Sequence, residues 1–470
     1  MSTASIPAWA GPLDVAGLAL GAVHEARAAT ERLLRAHSTD VQVTTDPELV
    51  EVAFSAIDRL RVDGRAAEPW APLSGFVAAR DGWLRLHGNY PHHATAITAA
   101  LGASTAEGLA AAVAPLPAEE AAARVLRAGG IAAVVRTPEE WRAHPHARAT
   151  ADDPWVTTQT GGAARGPRLR AHAAGAVGTG GIGAAAQVDA GPAGPRDPAA
   201  TRADLPLAGR RVLDLTRVVA GPVATQLLGC LGADVLRLDP PARPEQLDAF
   251  LAAGMGKRSA LLDLRAHRDL LEELLAGADV VVLGYRPGAL TDVGLDPSDL
   301  AARHPHLVIG ALSAWGEHGP WGDRAGFDSI VQAATGIAVR CAREDGRPGA
   351  LPVQALDHAT GFRLAAGMLD LLADGRAGVV RASLLGAART LLATGTGATS
   401  STGAGDGDAR AEADGGAGDG AAVGLPPAVE LGTPHGRVST VPVPLLLDGV
   451  PLTGAISGYG TAEPRWDERR

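Results

Sequence analysis

The chain has 470 residues, enough for two or more domains, and its 46% hydrophobic content supports sizeable cores and excludes a disordered protein. A formal net charge of −10, with no run of Lys or Arg interleaved with aromatics, argues against a phosphate-backbone partner, so no nucleic acid is expected. No apolar run approaches the ~20 residues that span a bilayer, the start Met1-Ser-Thr-Ala-Ser5 lacks a signal-peptide pattern, and Cys230 and Cys341 stand far apart in apolar surroundings. The expectation is a cytoplasmic protein without a membrane partner and with both thiols reduced.

Apolar residues at helical spacing predict helices over Val15–Ala36 and Asp46–Arg61. Gly75 to Leu86 reads as a hairpin turning at Arg80-Asp-Gly82, and two more helices follow, at Ala94–Leu101 and Ala118–Ala128. Residues 1–160 therefore read as a small α+β domain. Residues 161–204 are Gly, Ala, Pro and Arg without periodicity and read as a flexible linker. From 205 to 393 strand and helix signals alternate, with strands at Arg211–Thr216, Ala233–Leu238, Ala278–Leu283 and His306–Leu312. Short apolar strands separated by helices predict an α/β fold: an open, mostly parallel, Rossmann-like sheet with helices on both faces, beside the smaller α+β domain. Ligands of such sheets bind at the carboxyl ends of the strands. Residues 394–424 are low-complexity Gly, Ala, Asp, Ser and Thr, expected to be disordered, and 425–470 form a C-terminal tail.

Within the central segment Asp357 is a lone carboxylate in an otherwise apolar run, Pro352-Val-Gln-Ala-Leu-Asp-His-Ala-Thr-Gly361. Phe362, Leu364, Ala365, Met368, Leu369 and Leu372 recur at helical spacing behind it, so Asp357 is expected in the loop just before a buried helix. A carboxylate there is either a helix-start anion or a nucleophile.

Five motifs occur in order: Leu207 to Pro222, Leu231 to Leu238, Gly256 to Leu264, Ala278 to Leu290, and Gly316-Glu-His-Gly-Pro320 through Gly326-Phe-Asp328. Together they resemble the family III CoA-transferases, the formyl-CoA and carnitine CoA-transferase type, whose fold also serves 2-methylacyl-CoA racemases. The N-terminal stretches Asp81-Gly-Trp-Leu-Arg-Leu-His87 and Thr137-Pro-Glu-Glu-Trp141 are similar to that family's small domain, which normally follows the nucleotide-binding half and here precedes it. The tail, with Gly432-Thr-Pro-His-Gly-Arg437 and Pro442 to Leu452, resembles the family's closing segment on the substrate side.

The resemblance implies that Asp357 is the nucleophile that moves CoA between an acyl-CoA donor and a carboxylic acid, through an aspartyl anhydride and an aspartyl-CoA thioester. It implies coenzyme A as a substrate with no tightly bound cofactor, and an interlaced homodimer. It places CoA contacts at Val218, Val219, Lys257, Arg258, Tyr285 and Arg286, with Lys257 and Arg258 as diphosphate cations and Tyr285 stacked on adenine. Two positions depart from the family: Gly284 replaces an Asn and Asp292 an Arg, so the 3′-phosphate is held differently, by Arg286 or Arg237, or CoA binds more weakly. Racemase members carry a His before the Asp of the Gly-x-Asp motif; Phe327 stands there and cannot carry a proton, which favours transfer over racemisation. A non-catalytic CoA-binding paralogue or partner subunit is the alternative.

Other signals are set aside. His358 adjoins Asp357, but neighbours seldom face one side, and it reads as a solvated or helix-starting residue. Gly178-Thr-Gly-Gly-Ile-Gly183 matches a dinucleotide fingerprint without a strand before it. His87, His92 and His93 lack the Cys or acid neighbours of a metal site, so no metal is expected, and Ser74 and Ser313 lack a nucleophile elbow.

Overall fold

The computed structural model describes residues 9–166, 205–394 and 428–467. Most of the expected linker, the Gly178–Gly183 fingerprint and most of the expected disordered segment lie outside them.

Asp14 accepts the Gly17 N–H (2.8 Å) at the start of helix α1, Val15–Ala36. Asp46 does the same for Leu49 (2.8 Å) at α2, Pro47–Phe54. The single helix expected over 46–61 breaks at Ser55, with one turn, Ala56–Arg59, beyond it. The hairpin forms as read, β1 Gly75–Ala79 against β2 Gly82–Leu86. Helices α3 (Pro91–Leu101), α4 (Ala106–Val113) and α5 (Ala118–Arg127) follow, and β3 (Ala132–Val134) then pairs with β2.

Residues from Leu73 to Ala132 close a core of their own, with Leu84, Leu86, Ile97, Leu109, Val113 and Val125 inside. This lobe is narrower than the domain expected over 1–160. Helix α1 instead joins the large core, and strand β4, Val156–Ala163, joins the large sheet. Ordered chain therefore runs past Gly161, where the linker was expected to begin.

The sheet comprises β5 (Arg211–Leu215), β6 (Asp234–Asp239), β7 (Lys257–Leu261), β8 (Val280–Leu283), β9 (Val308–Ser313) and β10 (Arg376–Ser383), with β4 at its edge. Its order is β7-β6-β5-β8-β9-β10-β4, parallel throughout except for β4, which runs antiparallel to β10. Side chains alternate across it: Val280 and Val282 enter one core, while Val281 and Leu283 enter the other. Helices Arg268–Gly277 and Pro297–Arg303 contribute Leu271, Leu274, Leu275 and Leu300 to the second core. The first is filled by α1, α6 (Ala220–Cys230), α7 (Asp328–Thr335), α8 (Ala355–Ala373) and α9 (Leu384–Ala393). Strand order reverses between β5 and β8, so the crevice at their carboxyl ends, formed by Thr216–Val219 and Gly284–Arg286, is where such a sheet takes ligands.

The first and last parts of the chain meet beside this sheet. Val43 and Thr44 pair with Leu447 and Leu446, and Val62 pairs with Val438 of the hairpin Val429–Thr440. Helix α1 lies along α8, bridged by Arg32 to Asp370 (2.7 Å) and Arg363 to Glu25 (2.6 Å). These pairs are exposed and contribute little; the buried Ala22, Val23, Ala26 and Leu33 hold the contact.

Candidate active site

Helix α8 begins at Ala355, six residues earlier than the apolar spacing indicated, so Asp357 stands in its first turn and not in a preceding loop. Gly361 explains the depth of its burial. A Cβ there would fall 2.4 Å from the Ala220 carbonyl oxygen, so only glycine lets α8 cross the start of α6 this closely.

The first turn of α8 is capped from another helix. Asp328 Oδ2 accepts the Asp357 N–H at 3.0 Å, and its other oxygen accepts from Gln332, whose carbonyl oxygen takes the Leu351 N–H (2.9 Å). Asp328 is almost fully buried, and burial raises its pKa to about 6 against the pull of Gln332 and the α8 amides. The Asp357 carboxyl is 9% exposed and accepts no hydrogen bond among the described residues. Burial first, then the Asp328 charge, raises its pKa far above the usual carboxylate range. One carboxylate thus does the capping and the other is left uncommitted.

His358 is not solvated, as adjacency alone suggested. It is buried, stacks on Phe54 of α2 at 4.9 Å, and is held neutral, with its pKa lowered by burial to about 3. Its direction differs from that of Asp357 by about 100°, the helical step per residue. With Phe362 one turn on, it lines a cavity of about 550 Å³ whose wall also includes Val218, Val219, Val223 and Gln354.

Val218 has φ +60°, rare for a β-branched residue, and its N–H donates to Glu245 Oε2 at 2.8 Å. Glu245 also accepts from Arg237 (2.9 Å) and from the Tyr90 hydroxyl (2.6 Å). Burial would raise its carboxyl, but Arg237 and Arg217 outweigh burial and hold it low. Arg237 is bidentate to Asp239 and 1% exposed, so it is part of this internal network and offers nothing to a 3′-phosphate.

The remaining expected CoA contacts divide. Tyr285, half-buried, and Arg286, exposed, follow β8 at the crevice, with Arg286 donating to the Asp323 carbonyl (3.2 Å), though neither lines the cavity. Lys257 does not reach a surface: its ammonium lies 3.2 Å from Asp214 and 2.7 Å from the Pro222 carbonyl, tying α6 to β5, and burial lowers its pKa to about 8. Arg258 turns to Asp234 (3.0 Å), the first residue of β6, at the opposite end of the strands from the crevice. The two departures also find reasons. A Cβ at Gly284 would meet Thr216 at 3.0 Å, which leaves no room for an Asn, and Asp292 pairs with Arg265 (2.8 Å). Asp328, Gln332, Glu245 and the lobe residues Arg85 and Tyr90 escaped the reading of the sequence, and His87 was weighed only as a metal ligand; Asp328 had a signal in the Gly-Phe-Asp motif that drew attention to Phe327.

The site thus combines an open, mostly parallel sheet with its switch-point crevice, a glycine-packed helix behind it and an uncommitted carboxylate in that helix's first turn. Residues 207–422 match the model of CoA-transferase family III. The chain is 37% identical over 208 residues to a probable fatty acyl-CoA transferase, Rv3272, of Mycobacterium tuberculosis, covering 40% of this chain and 52% of that protein. It is 37% identical over 188 residues to succinyl-CoA:glutarate CoA-transferase of Mus musculus (37% and 43% covered). Formyl-CoA:oxalate CoA-transferase of Streptomyces avermitilis is 35% identical over 179 residues (35% and 44% covered). The chain spans about half the length of the curated relatives it matches.

Proposed function

We propose that this chain is a CoA-transferase that exchanges CoA between an acyl-CoA and a carboxylic acid, with Asp357 as the nucleophile. The observation that carries this reading is the uncommitted Asp357 carboxyl in a turn already capped by Asp328. An Asp357 oxygen attacks the thioester carbonyl; a C–O bond forms, the C–S bond breaks, and CoA leaves as thiolate with the electron pair. The thiolate attacks the aspartyl carbonyl of the anhydride and releases the donor's acid, leaving an aspartyl-CoA thioester. The acceptor carboxylate repeats both steps in reverse order, regenerating Asp357. A thiolate is a good leaving group, and the attacking species is the ionised form of Asp357, whose fraction grows as pH rises because burial and the Asp328 charge raise its pKa. The anhydride is open to hydrolysis, and the burial of Asp357 supports its protection from water.

Val218 and Val219, at the wall of the cavity, with Tyr285 and Arg286 at the crevice, are the positions proposed to contact CoA; Lys257 and Arg258 act in the fold instead. Racemisation is not favoured: Phe327 carries no proton, and the imidazole stacked on it, His87, has its pKa lowered by burial to about 3. A second copy completing the site, as in interlaced dimers, belongs to the same proposal, and sedimentation of the full chain tests it.

Acyl-CoA with hydroxylamine should convert Asp357 to a hydroxamate, read by peptide mass spectrometry, and Asp357→Ala should abolish exchange. An unmodified Asp357 under conditions where the acyl-CoA binds would refute the reading and leave a CoA-binding paralogue.

A further inference from the structure

Arg85 lies in the middle of the lobe's central strand β2. Its neighbours Leu84 and Leu86 enter the lobe core, so strand alternation turns Arg85 to the other face, towards α7. The guanidinium sits 5.0 Å from the Trp70 ring and 4.8 Å from the Phe76 ring, and the side chain is only 9% exposed. Among the described residues it has neither a hydrogen-bond nor an ion-pair partner, and its buried Nε is orphaned. The carboxylate whose charge it feels is Asp328, which is committed to Gln332 and the Asp357 amide. His87, two residues on, lies flat against Phe327 at 3.8 Å, beside Asp328, and its buried Nδ1 is also unpartnered.

A buried guanidinium without an anion is costly, because desolvation is not offset by pairing. Stacking on two rings returns part of that cost and cannot satisfy five N–H donors in a fork that matches a carboxylate. Water-facing function would leave Arg85 exposed; structural pairing would give it a carboxylate of the chain. Neither holds, and the carboxylate whose charge reaches the group is that of the residue capping the Asp357 turn.

We propose that Arg85 is the specificity-determining anchor of the acceptor acid, taking its carboxylate at the edge of the Asp357 site, with His87 supplying a neutral polar contact. The inference rests on the CoA-transferase reading, which it extends to the acid side of the exchange. Trp70, 44% exposed, forms the solvent-facing cover of this position.

The test titrates the full chain calorimetrically with acetate and succinate, and with inorganic phosphate as a control anion. Wild type should bind a carboxylate, Arg85→Gln should weaken it at least ~10-fold, or about 1.4 kcal/mol, and Arg85→Lys should lose less because it keeps the charge without the fork. Arg85→Gln should also melt no lower than wild type, since it removes an unpaired buried cation. Absence of carboxylate binding by wild type, equal affinity in both folded variants, or Arg85-dependent binding of phosphate in place of carboxylates would overturn the proposal. If carboxylates bind through Arg85 while acyl-CoA and hydroxylamine leave Asp357 unmodified, the anchor stands and the transferase reading falls.

Discussion

Replacing Asp328 with Asn separates the capping of α8 from the charge that sits beside Asp357. In the folded protein burial holds the Asp328 pKa at about 6, against 3.8 for a free carboxyl. A carboxyl raised in the folded state binds more protons there than in the unfolded chain between those two values, so stability falls as pH rises through that window. At 1.36 kcal/mol per pKa unit, Asp328 alone withdraws roughly 2 kcal/mol between pH 4 and pH 7. Asp357, raised by burial and by Asp328, adds a loss of the same sign at higher pH. Asp328→Asn has one carbonyl oxygen where the carboxylate used two, so it gives up one bond, to Gln332 or to the Asp357 amide. Protonated Asp328 likewise presents a single carbonyl oxygen, so this loss, about 1 kcal/mol, is felt only against the ionised form. Urea unfolding of both proteins at pH 4, 5.5 and 7 isolates the titration as the change in their stability difference. The variant should gain roughly 2 kcal/mol in stability relative to wild type between pH 4 and pH 7. Parallel stability curves across that range would refute the buried-acid account. The same substitution should shift the acid limb of Asp357 modification by acyl-CoA and hydroxylamine to lower pH, because the neighbouring negative charge is gone.

Lys257→Met should destabilise the protein by about 3–5 kcal/mol, since it strands Asp214 as a buried charge; CoA affinity of the folded variant, measured by calorimetry, should stay unchanged, and a large loss would return Lys257 to the ligand site. Gly361→Ala removes a helix glycine that elsewhere would be a gain of ~1 kcal/mol, yet it should cost about 2 kcal/mol in urea unfolding, because the new Cβ meets the Ala220 carbonyl oxygen.

The sheet was legible because its strands are short valine-rich runs between helical patterns, and β5, β6, β8 and β9 fall within two residues of the expected spans. Strand β7 was hidden by Lys257 and Arg258, whose charges read as ligands although one is neutralised inside the core and the other at the strand's amino end. Edge strand β4 was hidden by its composition: Val156-Thr-Thr-Gln-Thr-Gly-Gly-Ala163 is almost wholly exposed, and its register is set by β10 more than two hundred residues later. Asp357 was found by its isolation in an apolar run. Its helix was started too late because the helical spacing was counted from Phe362 onward, and the turn before it is capped by Asp328 from another helix and not by a neighbour in sequence.

The surroundings of α8 were beyond any local pattern, because they are assembled in part from the chain that precedes strand β5. Phe54 covers His358, α1 packs along α8, Tyr90 reaches Glu245 and thereby the Val218 turn, and His87 lies on Phe327. Desolvation is the first cause of the raised pKa of both Asp328 and Asp357. The order of the pieces matters less than their contacts: the N-terminal segment is held to the C-terminal tail by the Val43–Leu447 and Val62–Val438 pairings, so it closes on α8 from the same side as the tail residues Val441 to Pro444 that line the cavity.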